Sequence, residues 1–195
     1  MEPSSDDPVW MLEAILQHIF GDEEWDLGNN AESVARRVLA FWQDFAPDGE
    51  EELPFVPTTF PAIAQQMIVV RDIEFASICA HHLLPFFGVA HVAYLPHKLQ
   101  IGVSKIPRIV QYYAQRPQVQ ERLTHQIADW MQDMLEPKGS AVIIEAKHTC
   151  MSCRGVLSRG SSMITSEIRG VYLTNRGAQQ EFMGLIGKGG GMGSS

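Results

Sequence analysis

The sequence predicts an α+β fold in which an antiparallel sheet carries helices on one face. Between residues 56 and 187, predicted strands and helices follow one another in the order strand, strand, helix, helix, strand, strand. This order is typical of an antiparallel sheet whose helices lie on one side. Upstream, residues 8–20 and 31–45 repeat apolar side chains at helical spacing, which predicts a helical arm over residues 1–55.

The arm contains two predicted helices. In residues 8–20, Asp6 or Asp7 is a candidate N-cap and Gly21 ends the periodic pattern. Residues 31–45 repeat the pattern, and an acidic stretch follows. Three prolines, at positions 54, 57 and 61, then predict an irregular connection rather than the interior of a helix or strand.

The main body, residues 56–187, begins with two predicted strands, Met67–Phe75 and Phe87–Leu95. A helix capped by Ser104 and a second helix from Pro117 to about Leu135 follow. The remaining predicted elements are strands over Ala141–Cys150 and Met163–Leu173 and a short helix near Gln179–Ile186. The glycine-rich residues 188–195 are predicted to form a flexible tail.

Composition and charge narrow the class of function. Hydrophobic residues make up 45% and charged residues 19% of the chain, which is the balance of a soluble globular protein. No apolar run is long enough to span a membrane, and the acidic N-terminus does not resemble a secretory signal, so we expect a cytoplasmic protein. The net charge of −8 argues against a nucleic-acid partner but leaves room for a small anionic ligand held by local cations.

Cysteine and histidine residues form the first candidate site. Three cysteines in a reducing compartment favour a metal site or a reactive thiol over disulfides, although buried inert thiols are an equally open interpretation. Cys79 and His82 have a spacing that suits zinc, and strand alternation puts His148 on the same face as Cys150. Cys79, His82 and Cys150 would provide three ligands and leave a position for water, with His81 and His148 available as acids or bases.

A second group of polar residues suits a phosphorylated base. Lys105, Arg108 and Arg154 are candidate phosphate ligands, Ser104 adds a donor, and the Glu121 carboxylate offers paired acceptors to a guanine edge. Taken singly, each also fits a solvated helix face or an ordinary surface charge. Together with the cysteines and histidines, they indicate a metal-dependent hydrolase for a phosphorylated base.

Long motifs then identify a family. The stretches SICAHHLLPFFGVAHVAYLP, IGVSKIPRIVQYYAQRPQVQERLTHQI, IIEAKHTCMSCRGV and TSEIRGV resemble GTP cyclohydrolase I in order and spacing, over roughly residues 60–186. The resemblance implies a tunnelling fold, with a four-stranded antiparallel sheet and two helices on one face. It also implies a homo-oligomer, typically a decamer of two face-to-face pentamers, with active sites between subunits.

The resemblance also implies a role for each matched residue. The zinc ligands would be Cys79, His82 and Cys150, and the ion would activate the water that attacks C8 of the purine in GTP. His81 would protonate the base and His148 would assist opening of the ribose. The other matches are Ser104 for the sugar rearrangement, Gln120 and Glu121 for guanine, and Lys105, Arg108 and Arg154 for triphosphate. The products would be formate and 7,8-dihydroneopterin triphosphate, which feeds pterin, folate or deazapurine synthesis.

Two positions depart from the family pattern. Ala80 replaces a glutamate beside the first cysteine, and Ser33 replaces an arginine for which Arg36 or Arg37 is a candidate substitute. Cys153 has no family role, and an inert thiol is the favoured interpretation. These departures leave two alternatives: a cyclohydrolase for a related purine nucleotide, or a non-catalytic protein that binds a purine or pterin. A structural zinc site with His81 or Cys153 as fourth ligand is a further alternative.

Overall fold

A computed structural model describes residues 6–21, 30–46 and 53–187 of the chain. The chain divides into two compact units, Met1–Ala46 and Pro47–Ser195. The predicted acidic break after the second helix and the predicted flexible tail lie mostly or wholly outside the described residues. No helix in the described part of the chain is both long and apolar enough to cross a membrane.

The first unit contains two helices, α1 (Pro8–Phe20) and α2 (Ala31–Gln43), which confirm both predicted helices. The Asp7 carboxylate accepts a hydrogen bond from the backbone N–H of Val9, at 2.9 Å, and Gly21 ends α1 with a positive φ of 75°. Asn30 caps α2. Both ends of α1 are therefore set by local side-chain and backbone chemistry, as the sequence predicts.

The second unit is built on one sheet with four antiparallel strands. These are β2 (Ile68–Cys79), β3 (Pro85–Leu95), β6 (Gly139–His148) and β7 (Met163–Gly170), and they lie side by side in that order. A two-residue strand, β5 (Pro117–Gln118), pairs parallel to the outer edge of β2. Two further short strands, β1 (Thr59–Pro61) and β4 (Leu99–Ile101), form a separate antiparallel pair.

Two helices, α3 (Lys105–Ala114) and α4 (Gln120–Leu135), cover one face of this sheet, as predicted. Ile106 of α3 and Leu123 and Ile127 of α4 are buried, and they pack in one apolar cluster with alternate residues of the central strands. Each such side chain stabilises the fold by about 1.5–3 kcal/mol through burial. The cluster packs α4 against β6, and the predicted site residues Gln120 and Glu121 lie at the start of α4 while His148 lies at the end of β6.

Three short helices complete the second unit. They are α5 (Thr149–Ser152), α6 (Val171–Thr174) and α7 (Arg176–Gly187). Tyr172 of α6 and Phe182 of α7 are buried with Ala93 and Ala141 in a smaller apolar cluster. The short helix predicted near residue 180 is therefore confirmed, and it begins earlier than predicted.

Several predictions for the main body are wrong, including the end of the first strand, which reaches Cys79 rather than Phe75. Pro117 does not start a helix, because Pro117 and Gln118 pair with the end of β2 and α4 begins at Gln120. The last strand ends at Gly170, whose positive φ of 59° turns the chain into α6, and does not reach residue 173. The proline-rich connection contains the strand β1. An edge strand tolerates Pro61 although proline lacks a backbone N–H.

Candidate active site

A tight turn after β2 sets the position of the first cysteine. The Cys79 carbonyl oxygen accepts hydrogen bonds from the backbone N–H groups of His82, at 3.2 Å, and Leu83, at 2.8 Å. The Cys79 N–H donates to the Leu84 carbonyl oxygen at 2.9 Å, and Leu83 adopts a positive φ of 52° to close the turn. Cys79 is buried at the strand end, whereas His81 and His82 are exposed on the turn.

The second half of the site lies where β6 ends. His148 is the last residue of β6, and Cys150 lies in the short helix α5 that follows. The Thr149 hydroxyl donates to the Pro85 carbonyl oxygen at 2.6 Å, and the Cys153 N–H donates to the Thr149 carbonyl oxygen at 2.9 Å. The predicted strand through Cys150 is therefore wrong at its end, because these bonds turn the chain into a helix two residues earlier.

This turn brings Cys79, His148 and Cys150 together. One ligand atom from each lies within 4.8 Å of the other two, and this is the one group of at least three such residues found among the described residues. Two thiols and an imidazole are donors that zinc and other soft or borderline metals prefer. The three side chains could therefore hold a metal ion.

The protonation behaviour of the Cys150 thiol and the His148 imidazole also suits a bound cation. Burial raises the pKa of the Cys150 thiol, and the nearby Cys79 raises it further through charge and a hydrogen bond between the thiols. Burial lowers the pKa of His148, so its imidazole is neutral at pH 7. Two thiolates this close repel each other unless a cation lies between them, and a neutral imidazole is the form that binds a metal.

The grouping differs from the predicted ligand set in one histidine. It contains Cys79 and Cys150 as predicted, but it contains His148, which the resemblance makes an acid or base, and not His82. The exposed His82 is tied to Cys79 through the backbone turn, and His81 Nδ1 lies 3.8 Å from Cys79 Sγ. How ligand and acid–base roles divide among these histidines stays a prediction.

Phe86 and Gln120 hold the His148 ring in place. The rings of Phe86 and His148 stack with centroids 4.4 Å apart and planes 5° from parallel. These two residues are direct cross-strand partners on β3 and β6. His148 Nε2 lies 2.9 Å from Gln120 Oε1, and both Phe86 and Gln120 are buried. No sequence pattern indicates the role of Phe86, because only the strand register places it opposite His148.

Two of the predicted substrate contacts lie near this group. Glu121 is exposed in the first turn of α4, where its charge acts to raise the pKa of His148 against the larger effect of burial. Arg154 is exposed just beyond α5, and its charge acts to lower the pKa of Cys150. A carboxylate and a guanidinium therefore lie within electrostatic reach of the candidate metal ligands.

The other predicted contacts lie at the start of α3. Ser104 occupies the N-cap position of α3, but its side chain makes no capping hydrogen bond, so the predicted cap is wrong and its hydroxyl is exposed. The Lys105 ammonium and the Arg108 guanidinium lie over the Phe55 ring, 5.4 Å and 5.8 Å from its centroid. The structure therefore places both cations on one aromatic side chain.

Both residues that depart from the family pattern lie in local hydrogen-bonded segments. The backbone N–H of Ala80 donates to the Gln118 carbonyl oxygen at 2.9 Å, which ties the turn to β5. Ser33 forms a capping box with Asn30, in which each side chain accepts from the other residue's backbone N–H. Arg36, a candidate substitute for the missing arginine, pairs with Glu32 at 2.6 Å. The Ser33 hydroxyl is thus used to start α2.

Comparison with known proteins gives a consistent assignment. Residues 11–187 match the sequence pattern of the family described as GTP cyclohydrolase I. A protein named GTP cyclohydrolase 1 from Aquifex aeolicus (strain VF5) is 47% identical over 152 residues, 77% of this chain and 80% of its own. Proteins with the same name from Hydrogenobaculum sp. (strain Y04AAS1) and Thermobifida fusca (strain YX) are 44% and 43% identical. The alignment with the Hydrogenobaculum protein covers 90% of this chain and 96% of that protein. The alignment with the Thermobifida protein covers 84% of this chain and 80% of that protein.

Among solved structures, the apo form of an archaeosine synthase QueF-like protein aligns with a TM-score of 0.45 and 13% identity. The alignment covers 53% of this chain and 93% of that one. The family match spans most of the chain, and the three named relatives cover at least four fifths of their own length. The chain therefore belongs to the GTP cyclohydrolase I family.

Proposed function

We propose that this protein is a zinc-dependent GTP cyclohydrolase I, which converts GTP to 7,8-dihydroneopterin triphosphate and releases formate. The observation that carries the proposal is the convergence of Cys79, His148 and Cys150, from two separate strand ends, in a chain of this family. A purine-ring hydrolysis needs an activated water and groups that move protons, and the convergence provides candidates for both.

Zinc is the metal that the donor set suits best. Cys79 and Cys150 would bind it as thiolates, with His82 or His148 as the third ligand. When bound, zinc would act as a Lewis acid that activates water for hydrolysis near neutral pH. The contact between the two thiols supports this assignment, because a divalent cation would offset both the burial and the neighbouring Cys79 charge that raise the Cys150 pKa.

The histidines would move protons. Burial lowers the pKa of His148, so its neutral ring can accept a proton at pH 7 and return it later in the reaction. His81 is exposed on the turn and lies beside Cys79, so it can approach a substrate that enters from solvent. With His82 as the third zinc ligand, we assign His81 to protonation of the base and His148 to opening of the ribose.

Polar groups around the site would bind the guanine base and the triphosphate of GTP. Glu121 would accept two hydrogen bonds from the guanine edge, and Ser104 would take part in the later sugar rearrangement. Lys105, Arg108 and Arg154 would bind the triphosphate through charge-assisted hydrogen bonds. Exposure of Ser104, Glu121, Arg108 and Arg154 supports these roles, since each side chain is accessible to a ligand.

We also propose that the active protein is a cytoplasmic homo-oligomer, a decamer with active sites between subunits. Large apolar side chains are exposed on the sheet, including Phe87 of β3 and Ile164 of β7. Exposed apolar surface on a sheet favours burial against another copy of the chain. An intersubunit site would allow Lys105 and Arg108 of one subunit to serve the metal group of its neighbour.

The test is to incubate zinc-loaded protein with GTP and to measure formate together with the fluorescent pterin that appears after oxidation. Cys150→Ala should lose bound zinc and both products. Cys153→Ala is the matched control, because Cys153 lies three residues later, is exposed and is outside the metal group. It should retain zinc and turnover.

Three results would count against the proposal. Bound zinc without turnover of GTP would reject it as stated, and turnover of another purine nucleotide would favour the divergent enzyme. Equal loss in both cysteine variants would contradict the assignment of Cys150.

A further inference from the structure

The buried side-chain amide of Gln120 lies between α4 and the sheet. Its side chain is 1% exposed, and Nε2 donates toward the carbonyl oxygens of Ile144, at 3.1 Å, and Met163, at 3.0 Å. Thr165 Oγ1 is a third neighbour at 3.1 Å. Carbonyl oxygens only accept hydrogen bonds, so the amide must direct its NH₂ group toward them. The orientation of the amide is therefore fixed by two neighbouring strands.

Two threonines complete this network. The Thr124 hydroxyl donates to the backbone carbonyl oxygen of Gln120 at 2.8 Å, and Thr124 Oγ1 lies 2.6 Å from Thr165 Oγ1. Because the Thr124 proton is already donated, the Thr165 hydroxyl must donate to Thr124, and its oxygen is free to accept from the Gln120 amide. Flipping the amide would face Oε1 toward two carbonyl oxygens and leave buried groups unpaired, which costs about 1–3 kcal/mol for each group.

The fixed amide has one consequence for the catalytic histidine. Gln120 Oε1, which can only accept, lies 2.9 Å from His148 Nε2. The Nε2 atom must therefore carry the proton, which leaves Nδ1 as the nitrogen with a free lone pair when the ring is neutral. The Phe86 ring, stacked on His148, restricts the imidazole to one plane, so the amide sets its rotation within that plane.

We propose that Gln120 is a positioning residue that holds His148 in the tautomer protonated at Nε2, so that Nδ1 is the nitrogen that accepts a proton or binds the metal. This differs from the guanine contact predicted for Gln120 from the sequence. All polar atoms of its buried side chain already have partners in the protein, and none is left for a substrate. The catalytic consequence rests on the proposed function, whereas the tautomer itself does not.

The tautomer can be measured directly in the metal-free protein. Magic-angle-spinning NMR of protein labelled with ¹⁵N-histidine separates protonated from unprotonated ring nitrogens, and it does not depend on oligomer size. His148→Gln identifies the His148 signals among the seven histidines. At alkaline pH, where imidazoles are neutral, we expect a protonated Nε2 and an unprotonated Nδ1 for His148. A proton on Nδ1 in the wild-type protein would overturn the proposal without any variant.

A variant and a matched control then test the role of Gln120. Gln120→Met keeps the side-chain length but removes the acceptor, and we expect a mixture of both His148 tautomers. Thr124→Val is the control, because it removes hydrogen bonds of the same network but leaves the bond between Gln120 and His148. It should keep a single tautomer. A single Nε2-protonated tautomer in Gln120→Met would also overturn the proposal.

Kinetics of the zinc-loaded protein distinguish a positioning role of Gln120 from a direct contact between Gln120 and GTP. Loss of a residue that orients a catalytic or metal-binding histidine typically costs about 10- to 100-fold in activity. For Gln120→Met we expect this loss in kcat, with KM for GTP little changed. An increase in KM with kcat unchanged would indicate a ground-state contact with GTP and overturn the proposal. If the wild-type protein does not turn over GTP, the proposed function fails while the NMR experiment still tests the tautomer.

Discussion

Replacing Gly88 by alanine tests how closely the two central strands approach beside the candidate site. Gly88 lies in β3, directly opposite Ala146 of β6. A Cβ atom at Gly88 would lie 2.6 Å from the Ala146 Cα and 2.8 Å from its Cβ, and closer still to the Glu145 carbonyl oxygen. Most of these are backbone atoms of a central strand, which cannot rotate away. The strands must therefore separate to accept even one methyl group.

The expected cost follows from this geometry. A carbon–oxygen contact needs about 3.3 Å, so the strands must move apart locally by at least about 1 Å. Overpacking costs about 1–3 kcal/mol, and each weakened ladder hydrogen bond adds about 0.5–1.5 kcal/mol. We expect a destabilisation of about 3–5 kcal/mol, or a fall in Tm of about 6–20 °C for a chain of this size. Activity should fall as well, because Phe86, two residues away on β3, stacks on His148.

The assay is urea unfolding followed by circular dichroism and tryptophan fluorescence. Gly184→Ala in α7 is the matched control, because the residue is helical and, among the described residues, no atom outside its own helical turn lies within 4 Å of the added methyl group. That variant should be more stable by about 0.5–1 kcal/mol. If Gly88→Ala unfolds within about 1 kcal/mol of the wild type, the overpacking argument is wrong. A similar loss of stability in both variants would show that the effect is not specific to the sheet.

Three further predictions concern the core, a buried histidine and the first unit. Met131→Ala should lower the free energy of unfolding by about 2–5 kcal/mol, because Met131 is fully buried beneath the sheet; a change below about 1 kcal/mol would contradict this. Burial lowers the pKa of His91 below its ordinary value of about 6.5, so its contribution to stability is present above that pH and is lost as the pH falls through the lower folded value. His91→Gln should therefore flatten the decline in stability below about pH 6.5, and an unchanged slope would argue against it. Ser33→Ala should lower the helicity of α2 at a cost of about 0.5–1 kcal/mol without changing KM for GTP, whereas a raised KM would indicate that Ser33 contributes to GTP binding.

Local sequence patterns predicted elements well where local chemistry sets both ends. The helix α1 has the predicted bounds, because Asp7 and Gly21 cap a periodic apolar stripe without help from distant residues. The two helices on the sheet and its four main strands were predicted in the correct order. The end of β6 was not, because a hydrogen bond from Thr149 to the distant Pro85 turns the chain into α5.

The sequence likewise predicted one part of the candidate site and not the other. The residue types and spacings of the site are local features. The sequence by itself therefore identified the family and marked the two cysteines and the neighbouring histidines as site residues. The tertiary structure decided which side chains meet: it grouped His148 with Cys79 and Cys150, placed Phe86 on the His148 ring and buried the Gln120 amide. The physical reason is that strand register and helix packing join residues far apart in the chain. A sequence pattern shows which donors are present, but only their packed positions fix distances, burial and the direction of each hydrogen bond.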